Sequence, residues 1–132
     1  MTYTIPVETS KHDDLIEITG IVREKIAESG VKEGLCVVFV PHTTASVFIN
    51  ENADPFVKFD ILKELNKIVP ENDNYKHLEG NSNAHIKSAI IGSSRIIPIR
   101  NNEPVLGTWQ GIFFAEFDGP RHRKFYIEVI ST

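Results

Sequence analysis

A chain of 132 residues, 41% hydrophobic and 24% charged, is long enough to bury a core unaided and too apolar to be disordered. Its net charge of -4 argues against nucleic acid as the main partner, because phosphate backbones ask for a basic footprint. The single cysteine, Cys36, cannot close an internal disulfide and fits a reducing, cytoplasmic setting. No run reaches the roughly 18 apolar residues of a membrane span, and residues 1–6 lack the basic-then-apolar order of a signal peptide.

In chain order, residues 2–8 read as a strand, and Pro6 makes it an edge strand or a strand end. Leu15, Ile16 and Ile18 suggest a short second strand. Thr19 is placed to cap a helix running to Ser29, with Ile18, Val22 and Ile26 on one face. Gly30 ends it in a left-handed cap. Leu35–Val40 is a continuous apolar run and is expected to be a strand buried on both faces. Pro41-His42-Thr43-Thr44 breaks it, and residues 45–51 resume as strand. Asp54 and Pro55 open a helix whose apolar positions are Phe59, Leu62, Leu65 and Ile68–Val69. Pro70 ends it.

Residues 73–87 form a polar stretch rich in histidine and asparagine, interrupted by Gly80, with Asn83 able to cap a short helix from Ala84 to Ile91. The last forty residues read as strands at 94–100, 105–110, 112–117 and 125–131. A turn at Asn101-Asn102 and a basic loop at residues 118–123 lie between them. Strands dominate, with two or three helices between them. The fold class is α+β in a single domain spanning 1–132.

The polar stretch reads as the wall of a site, because loops held by a scaffold are where sites are commonly built. His77 and His85 lie eight residues apart, and His42 stands where an apolar strand breaks. Three imidazoles with an open position would suit a catalytic metal, although no compact zinc motif is present. The plain alternative is capping and surface histidines. Glu51, beside Asn50 and Asn52, can be a general base or a ligand, or part of a helix-entry cluster. Gln110, in the Gly107-Thr108-Trp109-Gln110-Gly111 block, can orient a ligand. Trp109 itself reads as core or interface anchor, and Cys36 as inert packing. Arg121 and Arg123 alternate after Gly119-Pro120. If the last strand starts at Arg121, both face one way and can grip a phosphate or carboxylate, with Lys87 adding a charge. The plain alternative is a solvated hairpin tip.

Three blocks together resemble the YjbQ-like family (UPF0047). They are His42-Thr43-Thr44-Ala45 with Asn50-Glu51; His77-Leu78-Glu79-Gly80-Asn81 with Ala84-His85-Ile86-Lys87; and Gly107-Thr108-Trp109-Gln110 with Asp118-Gly119-Pro120-Arg121-His122-Arg123. The resemblance covers essentially the whole chain. It implies a mixed, partly barrel-like β-sheet with two to three helices. It also implies a homotrimer with pockets near subunit contacts, and a secondary thiamine-phosphate synthase activity. That reaction joins a pyrimidine-methyl diphosphate to a thiazole phosphate and releases pyrophosphate.

The resulting expectation is a cytoplasmic enzyme with a metal or polar centre at His42, His77 and His85. Glu51, Glu79 and Gln110 would act as acid, base or supporting groups. Lys87, Arg121 and Arg123 would hold a small phosphorylated or anionic metabolite. Histidine ligands favour zinc over magnesium, which prefers oxygen donors. The rival readings are a metal-dependent hydrolase and a non-catalytic protein that binds a small anion or a metal.

Overall fold

The computed structural model describes residues 1–132. Eight strands and three helices follow one another as β1 (Thr2–Glu8), β2 (Asp14–Glu17), α1 (Thr19–Ser29), β3 (Gly34–Phe39), β4 (Ala45–Glu51), α2 (Pro55–Ile68), α3 (Ser82–Ile91), β5 (Ser94–Arg100), β6 (Glu103–Pro104), β7 (Gln110–Glu116) and β8 (His122–Ser131). A five-stranded sheet has the order β1-β8-β3-β5-β6 and a three-stranded sheet the order β2-β7-β4. Together they form a curled half-barrel within an α+β fold. Every pairing is antiparallel, where a mixed sheet was the expectation.

Local chemistry explains most boundaries. Pro6 sits on edge strand β1 opposite Lys124, where its missing N–H leaves no gap in the sheet interior. Val22 and Ile26, one turn apart, are fully buried under α1. Gly30 closes that helix with φ 73°, a left-handed conformation that glycine adopts without steric penalty. Thr19 is not the cap. It lies inside α1, where its Oγ1 donates to Glu17 Oε2 (2.8 Å) and accepts from Ile112 N–H (2.8 Å), stitching the helix to β7. Asp54 caps α2 as expected, accepting from Phe56 N–H at 2.9 Å with Pro55 at the first position. Asn101 and Asn102, both at positive φ, make the turn between β5 and β6.

Two expected packings change places. β3 alternates buried and exposed residues, with Leu35 and Phe39 on the open face. Its sheet is covered on one side only. The strand buried on both faces is β7. Ile112 and Phe114 join the main core with Val22, Ile26 and the inner residues of β3, β5 and β8, while Phe113 and Ala115 join a second cluster under α2 and α3. β7 is the middle strand of a sheet sandwiched between these layers, so it reads GIFFA without alternation. On α2 the packing side chains are Ile61, Leu62 and Leu65. Phe59 and Ile68, assigned to the inner face from spacing, are exposed. Residues 105–109 form no strand, and Trp109 is exposed instead of core. Cys36 is fully buried, and burial pushes its thiol up to about 11, so it packs as an unreactive small hydrophobe. No helix is long and apolar enough to cross a membrane.

Candidate functional site

The register brings four chain ends to one edge of the half-barrel. Phe39, the last residue of β3, pairs with Tyr126, so the chain continuing from β3 runs beside the start of β8. Ala45, the first residue of β4, pairs with Glu116, the last of β7. The two loops are joined by Phe117 N–H donating to Thr44 O at 3.1 Å. The N-terminus of α3 closes the same edge.

A cavity of about 400 Å³ lies here, and its wall is polar apart from Pro41. His42, His77 and His85 all line it, together with Arg121 and Arg123. Glu79, Asn81 and Asp118 complete the rim. Residues separated by up to 82 positions in the sequence thus share one space. The His77 and His85 rings meet edge to face, with centroids 5.3 Å apart and planes at 83°.

His42, the two arginines, Asn81 and Asp118 are fixed by neighbours. His42 Nε2 stands 3.1 Å from both the N–H and the carbonyl oxygen of Lys124, which β3 leaves unpaired where it ends. Burial, and then the Arg123 guanidinium, hold His42 below the ordinary imidazole value, so it is neutral at pH 7. Arg123 is nearly buried. It donates from Nε and Nη2 to the two carboxylate oxygens of fully buried Glu116 (2.8 and 2.5 Å), and from Nη2 to Thr44 Oγ1 (2.7 Å). Glu116 also accepts from Thr9 Oγ1 and from Asp118 N–H. Arg121 is half exposed and leans on Asp118, donating from Nε to its carbonyl and from Nη2 to its carboxylate, both at 2.8 Å. Asn81 Nδ2 donates to the same carboxylate oxygen at 2.8 Å. Asp118 therefore ties the start of α3 to Arg121. In both arginines Nη1 makes no hydrogen bond within the chain and is free for a ligand. His122 faces away, as period-2 alternation requires, and is exposed beside Glu8.

Three expected site residues stand elsewhere. Glu51 pairs with Gln110 at the far ends of β4 and β7. Six residues of strand at ~3.3 Å each put them roughly 20 Å from the cavity edge. Gln110 instead turns back on its own loop, accepting from Gly107 N–H at 2.8 Å. Lys87 is fully buried on the opposite side of α3. It donates to Asn66 Oδ1, lies 4.0 Å from Asp13 Oδ2 and covers the Phe117 ring. Burial lowers its pKa, and Asp13 opposes that shift. The reason is helical period: within α3, Asn83, Ala84 and Lys87 share the core face, while His85, Ser88 and Ala89 share the next one. Lys87 thus anchors the helix that carries His85, and cannot reach the anion cavity. Asp118 and Asn81 were not singled out from the sequence. Both sit in the blocks that carry the resemblance, and that was the only available signal.

No group of three or more His, Cys, Asp or Glu side chains is arranged to hold an ion. His42 Nε2 is occupied by the Lys124 backbone, leaving only Nδ1 to face a ligand. The donor types suit zinc, but the three imidazoles do not form a ready ligand set.

A family model described as "UPF0047 protein YjbQ-like" matches residues 3–132. A UPF0047 protein of Methanocaldococcus jannaschii is 54% identical, over 99% of this chain and 95% of its own length. The Bacillus subtilis UPF0047 protein YugU is 44% identical, over 99% of this chain and all of its own. Among solved structures, an uncharacterised yjbQ/UPF0047-family protein of Clostridium acetobutylicum superposes with TM-score 0.93 at 53% identity, covering 98% of this chain and 99% of its own. A protein of unknown function from Sulfolobus solfataricus superposes with TM-score 0.96 at 33% identity, covering 100% of this chain and 97% of its own.

Proposed function

The chain belongs to the UPF0047 YjbQ-like family, and we propose that it is an enzyme acting on a small phosphorylated metabolite held in the polar cavity. One observation carries this reading: three histidines and two arginines from four separate segments line a single polar space. Arg121, with the free Nη1 of Arg123, would hold the anion. His77, His85 and Glu79 would supply acid–base catalysis, since imidazole changes charge near neutral pH. His42, neutral, would donate or accept a hydrogen bond. Glu51 and Gln110 have no part in this cavity as it stands within one chain.

The specific reaction proposed is thiamine-phosphate synthesis, in which a thiazole phosphate displaces pyrophosphate from a pyrimidine-methyl diphosphate. Its demand is stabilisation of the leaving pyrophosphate, which arginine donors serve electrostatically. Incubating wild type with both substrates should release pyrophosphate. His85→Ala should lower turnover by about 10²–10⁴-fold while pyrophosphate still binds by calorimetry. Stoichiometric binding without product would favour the binding-protein reading, and release of inorganic phosphate from either substrate alone would favour a hydrolase. Failure of wild type to bind phosphate or pyrophosphate would overturn the anion site altogether.

A divalent ion, zinc before magnesium, and a homotrimer are further proposals. The close His77–His85 pair supports the first. Exposed Trp109, Phe56 and Phe59 support the second. Both need rearrangement or partners beyond one chain. Native mass spectrometry of untagged protein should show a trimer carrying bound zinc. A metal-free monomer at dilute concentration would remove both.

A further inference from the structure

We propose that a groove beside the polar cavity is the second half of one ligand site, and that it takes the uncharged, hydrogen-bonding part of an organic phosphate ester. The inference rests on the anion-site reading above and goes on to name the class of ligand.

The groove, about 370 Å³, runs between α3 and the start of β4. It shares His42, Thr43 and His85 with the anion cavity, so the two spaces adjoin across these side chains. Each has the size of a small-molecule pocket, about 300–1,000 Å³. Together they exceed what an inorganic anion would fill. Their walls differ. The anion cavity has the arginines. The groove has Ala45, Ser88, Ala89, Gly92 and Ser93, and no charge apart from what the two histidines can carry. A charged group there would lose its hydration with nothing to replace it. A neutral group would not.

Ser88 supplies the second, independent observation. It is 8% exposed, lines the groove, and its Oγ is shielded from solvent with no hydrogen-bond partner. A buried hydroxyl left unpaired costs about 1–3 kcal/mol, and each such group asks for an explanation. It does not turn back on its own helix, as serine in a helix interior often does. The Ser88 hydroxyl, unpaired at the wall of a groove adjoining an anion cavity, is placed to read a polar atom of a ligand, such as a ring nitrogen or a hydroxyl. His85, Ser88 and Ala89 lie at i, i+3 and i+4 on α3. One helix face therefore spans both halves of the site.

Calorimetry with inorganic phosphate, benzyl phosphate, glycerol 1-phosphate and pyridoxine 5′-phosphate tests this on wild type, Ala89→Leu and Ser88→Ala. Ala89 is exposed and leucine is a good helix former, so the fold should tolerate the wall-filling change, and a thermal melt verifies that. Wild type should bind at least one polar ester about tenfold or more tighter than inorganic phosphate. Ala89→Leu should abolish that preference and leave inorganic phosphate binding unchanged. Ser88→Ala should weaken the preferred ester about threefold to tenfold. Equal affinity of wild type for phosphate and all esters, or a preference that survives Ala89→Leu, would overturn the groove while leaving the anion site standing. Loss of inorganic phosphate binding in wild type would instead remove the anion site, and the groove proposal with it.

Discussion

Arg123→Ala is expected to lower folding stability by about 3–5 kcal/mol, the range for removing one partner of a buried ion pair. Glu116 is fully buried, and both of its carboxylate oxygens are held by the Arg123 guanidinium. Thr9 and the Asp118 N–H supply its remaining hydrogen bonds. Without Arg123 the carboxylate stays buried with two weaker neutral donors. Arg123→Lys should fall between, because an ammonium keeps the charge but cannot reproduce the two-toothed contact. The double change Arg123→Met with Glu116→Leu should recover much of the loss, since apolar residues of similar volume often replace a buried pair at little cost. Urea denaturation checks all four proteins through the transition midpoint at constant slope. An Arg123→Ala midpoint within about 1 kcal/mol of wild type would show that the pair is not the anchor of this edge.

That role for Arg123 could not be read from the sequence, and the reason is general to the site. Residues 121 and 123 alternate, so their shared face follows from strand period, and both do line the cavity. The partner of one of them is set by tertiary placement. Glu116 belongs to the neighbouring sheet and is buried only because β7 is covered on both sides. The same limit applies to Glu51 and Gln110. Both lie in blocks that carry the family resemblance, but the register of β4 on β7 sends them to the end away from the histidines. Lys87 was misplaced for the same reason. Helical period puts Ala84 and Lys87 on one face wherever α3 starts, but that this face is the buried one is set by tertiary packing. The convergence of His42, His77 and His85 was legible because His42 stands at a break between strands, and His77 and His85 belong to one polar stretch that enters α3. Breaks gather at the edges of sheets.

Arg121→Ala is expected to weaken phosphate or pyrophosphate binding about tenfold to a hundredfold, the equivalent of one charge-assisted contact at about 1.5–3 kcal/mol. Arg121 is the arginine to test because its two roles separate. Its contacts with Asp118 lie at a half-exposed surface, three residues apart in the chain. An exposed ion pair contributes about 0–1 kcal/mol to stability, so the variant should fold. Arg123→Ala would confound affinity with unfolding through Glu116. In wild type Asp118 already occupies two donors of Arg121, its backbone carbonyl accepting from Nε and its carboxylate from Nη2. An incoming anion must use Nη1 or displace that carboxylate. Asp118→Asn should therefore raise anion affinity, since it removes the competing charge while an amide oxygen can still accept from Asn81 or Arg121. Calorimetric titration of wild type, Arg121→Ala and Asp118→Asn with pyrophosphate gives opposite shifts if Arg121 is the anion's main contact. Unchanged affinity in both variants would remove Arg121 from the site and leave the Arg123 Nη1 and the histidines as the groups able to bind there.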